Sequence, residues 1–233
     1  ILAGSSGQGD TGYDIEQSLR FNYADSAYLS RTVGTSTSNK IGTISFWMKR
    51  GRLAYDHPIF SNHTDANNRT YVDFYSDTLE IYGKTSGSTQ IELVSSQENR
   101  DPSSWYHFVI AIDTTQSTES NRIKYYKNGE QITDFDTSTY PSQNDDVPLF
   151  SGTNMLVGAQ FTSSINAYWD GYLAEFHFID GQALTPASFG ETNSATNQWV
   201  PIEVEDLTYG TNGFYQKYSN TELANSFEDS SSS

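Results

Sequence analysis

The sequence predicts an all-β domain in which antiparallel strands form a sandwich or jelly roll. Tyrosine and phenylalanine are abundant, with 16 and 13 copies among 233 residues, whereas charged residues make up only 18% of the chain. Short runs of alternating apolar and polar residues are separated by polar turns. No long stretch has the 3.6-residue apolar period of an amphipathic helix. Aromatic and β-branched residues in such runs are typical of strands with one face on a core.

Individual strands and turns can be placed along the chain. Two runs, 105–112 (WYHFVIAI) and 172–179 (YLAEFHFI), are apolar at most positions, which predicts inner strands covered on both faces. Asn128-Gly129 between two strand-like runs predicts a hairpin with a type I′ turn. Thr185 before Pro186 predicts about one helical turn. Four alternating runs have their predicted core positions at Ile44, Phe46 and Met48; Val72 and Phe74; Leu79 and Ile81; and Ile91 and Leu93.

Composition also predicts the domain boundaries. Residues 1–18 are rich in Gly, Ser, Gln and Asp, which is typical of a linker or an attachment arm that orders only against a partner. Residues 19–218 carry the strand pattern and form the predicted sandwich. Residues 219–233 end in a serine run and are predicted to be a C-terminal linker or tail.

Charge and cysteine content narrow the function classes. The chain has 13 basic and 29 acidic residues, a net charge of −16. This balance argues against nucleic-acid binding, which needs clustered Lys and Arg, and against docking on anionic lipid. We expect no membrane insertion because no apolar run approaches ~20 residues. Without cysteine, disulfides, thiolate catalysis and Cys-ligated zinc are excluded.

The order of the motifs resembles a known family. It is similar to the laminin-G-like and pentraxin-like branch of the concanavalin A-like lectin/glucanase superfamily, over roughly residues 19–190. The resemblance implies a concanavalin A-like jelly-roll sandwich of two antiparallel sheets. The motifs are 45–49 (SFWMK), 105–109 (WYHFV), 126–130 (YKNGE), 156–158 (LVG), 170–176 (DGYLAEF) and 184–186 (LTP).

Four further segments resemble laminin-G-like domains in structural proteins of marine and cyanobacterial tailed phages. They are residues 100–107, 139–144, 178–192 and 209–215. This resemblance implies a structural or adhesion protein of a virion, such as a fibre, spike or capsid decoration, located on the particle surface. Other virion proteins and a host-surface glycan are the implied partners. A homo-oligomer is expected, a trimer by similarity to phage fibres.

Enzymatic activity is not expected. Glucanases of the superfamily carry Glu-x-Asp-x-Glu on one strand, because alternation places the three carboxylates on one sheet face. The nearest acidic clusters, 134–136 and 203–206, lack that spacing, and no Gly-x-Ser-x-Gly motif is present. Among the four histidines, His107 and His177 are predicted to be packed in strands. His57 and His63 are predicted to lie in a polar loop.

Calcium is the metal that the resemblance implies. Such domains often bind it at one edge of the sandwich through Asp, Asn and backbone oxygens. Asp65 precedes a strand, as one ligand pair does in the pentraxin pattern. The second ligand set is replaced by Gly158-Ala159-Gln160-Phe161, so the double site is not expected. A single weaker site using Asp170 or Asp25 stays open, and the alternative for Asp170 is a turn role.

Loop aromatics are the candidate ligand-binding residues. Sugar sites in sandwiches use a few aromatic faces with polar neighbours. Tyr55, Tyr140, Trp169 and Trp199 are the candidates, with His57 beside them. Each of the four aromatic residues is more often a packed loop anchor than a ligand contact, and an exposed loop histidine is more often inert. The alternatives to a virion protein are a free or cell-surface carbohydrate-binding module and a glucanase-type hydrolase, and the missing carboxylate motif argues against the hydrolase.

Overall fold

Two antiparallel sheets of seven strands each form the body of the protein in a computed structural model that describes residues 13–219 and 228–231. Strands account for 49% of the residues and helix for 6%. The all-β jelly-roll sandwich predicted from the sequence is confirmed. No helix in the described ranges is both long and apolar enough to cross a membrane.

Sheet I has the strand order β1-β15-β3-β8-β9-β10, and β18 also pairs with β15. All of its pairings are antiparallel. Its strands are β1 (Leu19–Phe21), β3 (Ile41–Arg50), β8 (Tyr106–Asp113), β9 (Ile123–Lys127), β10 (Glu130–Ile132), β15 (Gly171–Asp180) and β18 (Phe214–Gln216).

Sheet II has the strand order β11-β7-β6-β5-β4-β12-β2. Its strands are β2 (Leu29–Thr32), β4 (His57–Asp65), β5 (Asn68–Tyr75), β6 (Thr78–Thr85), β7 (Ser88–Glu98), β11 (Phe135–Thr139) and β12 (Asn154–Val157).

Short elements complete the fold. One hairpin joins β13 (Ala159–Phe161) to β14 (Ile165–Tyr168), and another joins β16 (Gly190–Thr192) to β17 (Trp199–Pro201). The α-helix α1 covers Pro148–Ser151. Three 3-10 turns cover Tyr23–Asp25, Glu119–Asn121 and Pro186–Ser188.

The core lies between the two sheets, and the predicted strand faces are confirmed there. All nine residues predicted to face the core, from Ile44 to Leu93, are fully buried. β8 lies between β3 and β9, and β15 lies between β3 and the β1 and β18 edge, so both apolar runs are inner strands as predicted.

The predicted turns are also confirmed. Asn128 and Gly129 have φ values of 48° and 84°, the left-handed pair that a type I′ hairpin requires. Thr185 precedes the 3-10 turn Pro186–Ser188 with the proline at its first position.

The outer face of sheet I is covered over one half only. There Val109, Ile179 and Phe189 form a second small core, against which Leu184, Val204 and other side chains of the 184–209 segment pack. This explains why β8 and β15 are apolar on both faces. The other half of the outer face carries no such cover from residues 184–209 and forms the candidate site described below.

The first and last strands of sheet I lie close to the predicted domain boundaries at residues 19 and 218. The first strand begins at Leu19 and the last strand of sheet I ends at Gln216. Residues 13–18 alternate between half-buried and exposed positions, and the Tyr13 hydroxyl bonds to Glu175 and Tyr215. Most of the predicted arm and of the predicted tail lies outside the described residues, so the domain boundaries stay a prediction.

A buried ion pair joins the two sheets at one end of the sandwich. Arg50, the last residue of β3, donates to Asp77 Oδ1 at 2.8 Å in the turn between β5 and β6. The guanidinium also donates to the carbonyls of Asn99 and Ser76, both at 3.0 Å. Both charged side chains are almost completely buried, so Asp77 balances a charge that has no access to water.

We expect Asp77→Ala to lower the free energy of unfolding by about 3–5 kcal/mol, because it leaves the Arg50 charge buried and unpaired. Chemical denaturation measures the loss. Asp101→Ala, which removes an exposed carboxylate, is the control and should cost much less. An Asp77→Ala protein as stable as the control would contradict the assigned role of the ion pair.

Candidate functional site

A groove of about 1130 Å³ lies on the uncovered half of the outer face of sheet I. Its floor consists of Trp47 and Lys49 from β3, Tyr172 and Ala174 from β15, and Trp105, which directly precedes β8. Strand alternation places these side chains there. Phe46 and Met48 face the core, so Trp47 and Lys49 face outward.

The floor aromatics are adjacent because the register aligns their strands. Lys49 is paired with Tyr172 across β3 and β15, and Trp47 is paired with His107 across β3 and β8. The Trp105 and Tyr172 rings are 6.4 Å apart between centroids. Tyr172 is 37% exposed, which is unusual for a large ring in a strand.

Two polar walls border the groove. One wall is the extended segment 14–18, and the other consists of residues 127–131 and 197–201. These walls offer amides, hydroxyls and carboxylates, including Asn128, Gln131 and Gln198. The site therefore consists of aromatic ring faces that lie between hydrogen-bonding groups.

Two lysines give the groove local positive charge. Neither Lys49 nor Lys127 forms an ion pair with a residue in the described part of the chain. The Lys127 Nζ lies 4.9 Å from the Tyr106 ring centroid, and burial lowers the pKa of Lys127. Glu130 and Glu16 are exposed acidic residues of the two walls.

A fixed polar network lies at the covered edge of the groove. Trp199 Nε1 donates to His107 Nδ1 at 3.0 Å, and His107 Nε2 lies 2.9 Å from Ser45 Oγ. An indole N–H can only donate, so His107 Nδ1 accepts and Nε2 carries the proton. The Trp199 ring packs so closely on Gly129 that an added Cβ there would lie 2.4 Å from it.

This tautomer prevents Ser45 from acting as a nucleophile. A general base must accept the serine proton at the nitrogen that faces the hydroxyl, and in His107 that nitrogen already carries a proton. Burial lowers the pKa of His107 to about 3, so the ring is neutral. His107 is therefore packed and hydrogen-bonded in its strand, as predicted.

The second buried cluster surrounds Glu175 in the bulge of β15. Glu175 has a φ of 46°, and the register with β3 shifts between Ala174 and His177. Tyr215 donates to Glu175 Oε2, and His177 stacks on Tyr215 with centroids 4.1 Å apart. His177 Nδ1 lies 2.8 Å from the Tyr209 hydroxyl. Burial raises the pKa of Glu175 and lowers that of His177 to about 3.

A carboxyl pair on the outer face of sheet II has no access to a substrate. Asp73 of β5 faces Glu80 of β6 in register, and the two side chains share a hydrogen bond. They are 3% and 7% exposed. Burial raises the pKa of both groups, that of Glu80 to about 7. The pair is therefore enclosed by the fold, and its raised pKa values favour a shared proton.

The predicted ligand-binding residues are distributed over several parts of the fold. Trp199 lies in the groove wall. Tyr140 follows β11, where it packs half-buried against the core. Tyr55 is 58% exposed in the loop after β3, away from the residues that line the groove.

The prediction that His57 lies in a polar loop is wrong, whereas Trp169 is a packed loop anchor, the alternative given for it above. His57 is the first residue of β4 and Trp169 belongs to the main core, and both are fully buried. Their rings meet edge to face at 6.0 Å. His63 also lies within β4 and is 7% exposed, so the predicted polar loop is part of a strand.

The three aspartates predicted as calcium ligands are each bound to protein donors. Asp65 accepts from the Asn67 and Asn68 amides at 2.7 and 3.0 Å, and these hydrogen bonds lower its pKa. Asp170 forms an ion pair with Arg20 at 2.6 Å, and Asp25 accepts from the Asn22 side chain at 2.7 Å. Within the ranges that the structure describes, no group of three or more acidic or histidine side chains is placed to hold a metal.

Sequence reasoning missed the floor of the groove. Trp105 and Tyr172 belong to runs that are apolar on both faces, and Trp47 alternates with the predicted core positions of its run, so none of the three is predicted to be a site residue. A signal was present in 45–49, where Trp47 and Lys49 occupy the face opposite Phe46 and Met48. Alternation alone could have placed a tryptophan and a lysine side by side on an outer face.

Comparison with known proteins agrees with the fold. A family model described as the concanavalin A-like lectin/glucanases superfamily matches residues 22–188. The chain belongs to this superfamily, in a family of laminin-G-type domains. No curated protein sequence gives a significant match.

Several solved structures are similar to this chain. Domains LG4–5 of the mouse laminin α1 chain give a TM-score of 0.50 at 8% identity, covering 85% of this chain and 46% of that one. The CBM40 of the Ruminococcus gnavus IT-sialidase gives 0.47 at 11% identity, covering 70% and 95%. Domain 4 of AbnA, a GH43 extracellular arabinanase from Geobacillus stearothermophilus, gives 0.45 at 16% identity, covering 66% and 65%. The chain spans 37% of a receptor binding domain that it also resembles.

The carboxyl pair predicts a pH dependence of stability. In the folded state the pKa of Glu80 is raised to about 7. The folded protein therefore binds more protons than the unfolded chain between about pH 4.5 and pH 7. Stability from this pair is present below that window and is lost as pH rises through it, by an amount on the order of 2 kcal/mol.

Asp73→Asn removes the repulsion, so we expect a higher thermal midpoint at pH 8 than for the unchanged protein and little difference at pH 5. Calorimetry at both pH values measures this. Asp134→Asn, a change at an exposed aspartate, is the control. A lower midpoint for Asp73→Asn at pH 8 would rule out the shared proton.

Proposed function

We propose that the protein is a non-enzymatic, lectin-like domain that binds a carbohydrate chain in the groove of sheet I. The observation that carries the proposal is the groove floor, where Trp47, Trp105 and Tyr172 lie side by side between two polar walls. Pyranose rings stack their C–H faces on aromatic rings, and their hydroxyls bond to neighbouring amides and carboxylates.

The titratable groups near the groove support binding without catalysis. The His107 tautomer gives Ser45 no base, and Glu175 is held by tyrosines in a buried bulge. Retaining hydrolysis uses two accessible carboxyl groups ~5 Å apart on either side of the bond. The hydrogen-bonded pair of Asp73 and Glu80 is instead closed to solvent.

Changing the groove floor tests the binding proposal. A glycan array first identifies a glycan that the unchanged protein binds. Tyr172→Ala and Trp105→Ala should each weaken binding to that glycan about ten- to a hundredfold, because each variant loses one stacking contact of ~1–3 kcal/mol. Tyr75→Ala is the matched control, because Tyr75 is also exposed but does not line the groove. Equal binding by all three variants would contradict a carbohydrate site at this groove.

We further propose that the chain acts on the surface of a tailed-phage virion, as a fibre, spike or decoration protein that attaches to host glycans. The support is the resemblance of residues 100–107, 139–144, 178–192 and 209–215 to phage laminin-G-like domains. A homo-oligomer, as a trimer, fits that role and would raise avidity for repeated glycans on a host.

Mass spectrometry of gradient-purified particles tests the location. We expect peptides of this chain in intact virions, at a copy number that is a multiple of the particle's symmetry. Virus-free culture supernatant is the control. The chain found only in that supernatant would indicate a free carbohydrate-binding module instead.

A further inference from the structure

Five side chains form a continuous row at the end of the sandwich where β3 ends and β15 begins. We name this row the tyrosine ridge, and its members in spatial order are Tyr28, Tyr168, Tyr23, Arg52 and Tyr55. The Tyr28 and Tyr23 rings lie 6.2 and 6.4 Å from the Tyr168 ring between centroids. The Arg52 guanidinium lies 4.8 Å from the Tyr23 ring and 4.3 Å from the Tyr55 ring.

The ridge is exposed to an extent that calls for a binding role. Tyr23, Tyr28 and Tyr55 are 44%, 39% and 58% exposed. Only two other large hydrophobic side chains in the described ranges, Tyr75 and Tyr172, are exposed to a similar degree. The ridge members come from three separate parts of the chain, so the fold itself gathers these rings. Contiguous exposed aromatic surface is typical of an interaction site.

Arg52 is held in place but has no acceptor. Its guanidinium lies against two tyrosine rings, and it forms no hydrogen bond or ion pair with any residue that the structure describes. Stacking uses the faces of the guanidinium and leaves its N–H edge free. That planar edge matches the paired oxygens of a carboxylate or a sulfate.

The tyrosine hydroxyls are equally available. None of the four hydroxyls of the ridge bonds to a residue in the part of the chain that the structure describes. Each ring can thus offer a face to sugar C–H groups and a hydroxyl to a sugar oxygen. This combination favours a saccharide over an apolar protein segment, which would leave the hydroxyls without partners.

The ridge adjoins the groove. Arg20 lies 5.2 Å from the ring centroid of Tyr172 on the groove floor, and it pairs with Asp170 at 2.6 Å. The Gly51 amide donates to the Asp170 carbonyl at 2.8 Å, and Arg52 of the ridge is the next residue along the chain. A series of contacts through Arg20, Asp170 and Gly51 therefore connects Tyr172 of the groove to the ridge.

We propose that the tyrosine ridge is a second subsite, where Arg52 binds a carboxylate or sulfate group on the same linear polysaccharide whose chain occupies the groove. This inference rests on the proposed carbohydrate-binding function of the groove. It adds that the ligand is an anionic polymer long enough to extend beyond Tyr172.

Affinity electrophoresis of the whole protein tests the anionic group. The gels contain alginate, which carries carboxylates, dextran sulfate, which carries sulfates, or neutral dextran. We expect a charged polymer to retard the protein and dextran to leave it unaffected. The two charged gels distinguish a carboxylate from a sulfate ligand.

Variants then assign the contact to the ridge. Arg52→Ala and Tyr55→Ala should each weaken binding to the retarding polymer about tenfold, the loss expected for one contact to a charged group. Arg52→Lys should recover only part of the binding, because an ammonium lacks the planar fork. Two variants on sheet II are the matched controls. Lys84→Ala removes a positive charge as Arg52→Ala does, and Tyr75→Ala removes a tyrosine ring as Tyr55→Ala does. Both should bind as the unchanged protein does.

Chain length separates the ridge from the groove. Short, size-fractionated oligosaccharides of the retarding polymer should bind Arg52→Ala and the unchanged protein equally, whereas long fractions should bind Arg52→Ala more weakly. Tyr172→Ala should weaken the binding of both the short and the long fractions, because Tyr172 lies on the groove floor.

Three outcomes overturn the inference. If dextran retards the protein as strongly as the charged polymers, or if Arg52→Ala binds like Lys84→Ala, the ridge is not a subsite while the groove remains one. If no gel retards the protein and the glycan array is blank, the proposed function fails together with the ridge.

Discussion

Sheet I carries apolar side chains on both faces over one half of its area, and burying them is the constraint on which the rest of the structure depends. Its inner face packs on sheet II, while its outer face carries Val109 and Ile179 and is buried by the segment around Phe189. That segment covers only part of the sheet. The groove is the remaining part, and the residue type changes there from aliphatic to Trp, Tyr and Lys.

Buried polar groups mark the boundary between the covered and the open halves. Trp199 reaches over the sheet and donates to His107, which fixes the tautomer of that ring. On β15, which is separated from β8 by β3, the Glu175 carboxylate accepts a hydrogen bond from the Tyr215 hydroxyl. An unpaired polar group at this depth would cost about 1–3 kcal/mol, so the bond from Trp199 to His107 holds the covering segment against the sheet. The position of Trp199 in the groove wall is therefore set by contacts within the protein.

Local pattern was sufficient for the strands, whereas contacts between distant segments were needed for the site. The alternation at Ile44, Phe46 and Met48 identified a core face because strand period is a local property. The sequence could not decide whether Trp169 contacts a ligand or is a packed anchor, because only the packing between the two sheets shows that its ring is buried. The tyrosine ridge could not have been predicted, since Tyr23, Arg52 and Tyr168 meet only after the strands between them have paired.

The distribution of charge explains how an acidic chain can still present individual cationic side chains to a ligand, such as Lys49 among the acidic residues of the groove and Arg52 in the tyrosine ridge. The net charge of −16 acts at long range and repels a polyanion at low ionic strength. At 0.15 M salt the Debye length is about 8 Å, so distant carboxylates are screened. A contact at hydrogen-bond distance to Arg52 is screened far less, because it lies within the Debye length and the guanidinium packs on the Tyr23 and Tyr55 rings. A higher ionic strength therefore weakens the repulsion from the net charge of the chain more than it weakens a close contact to Arg52.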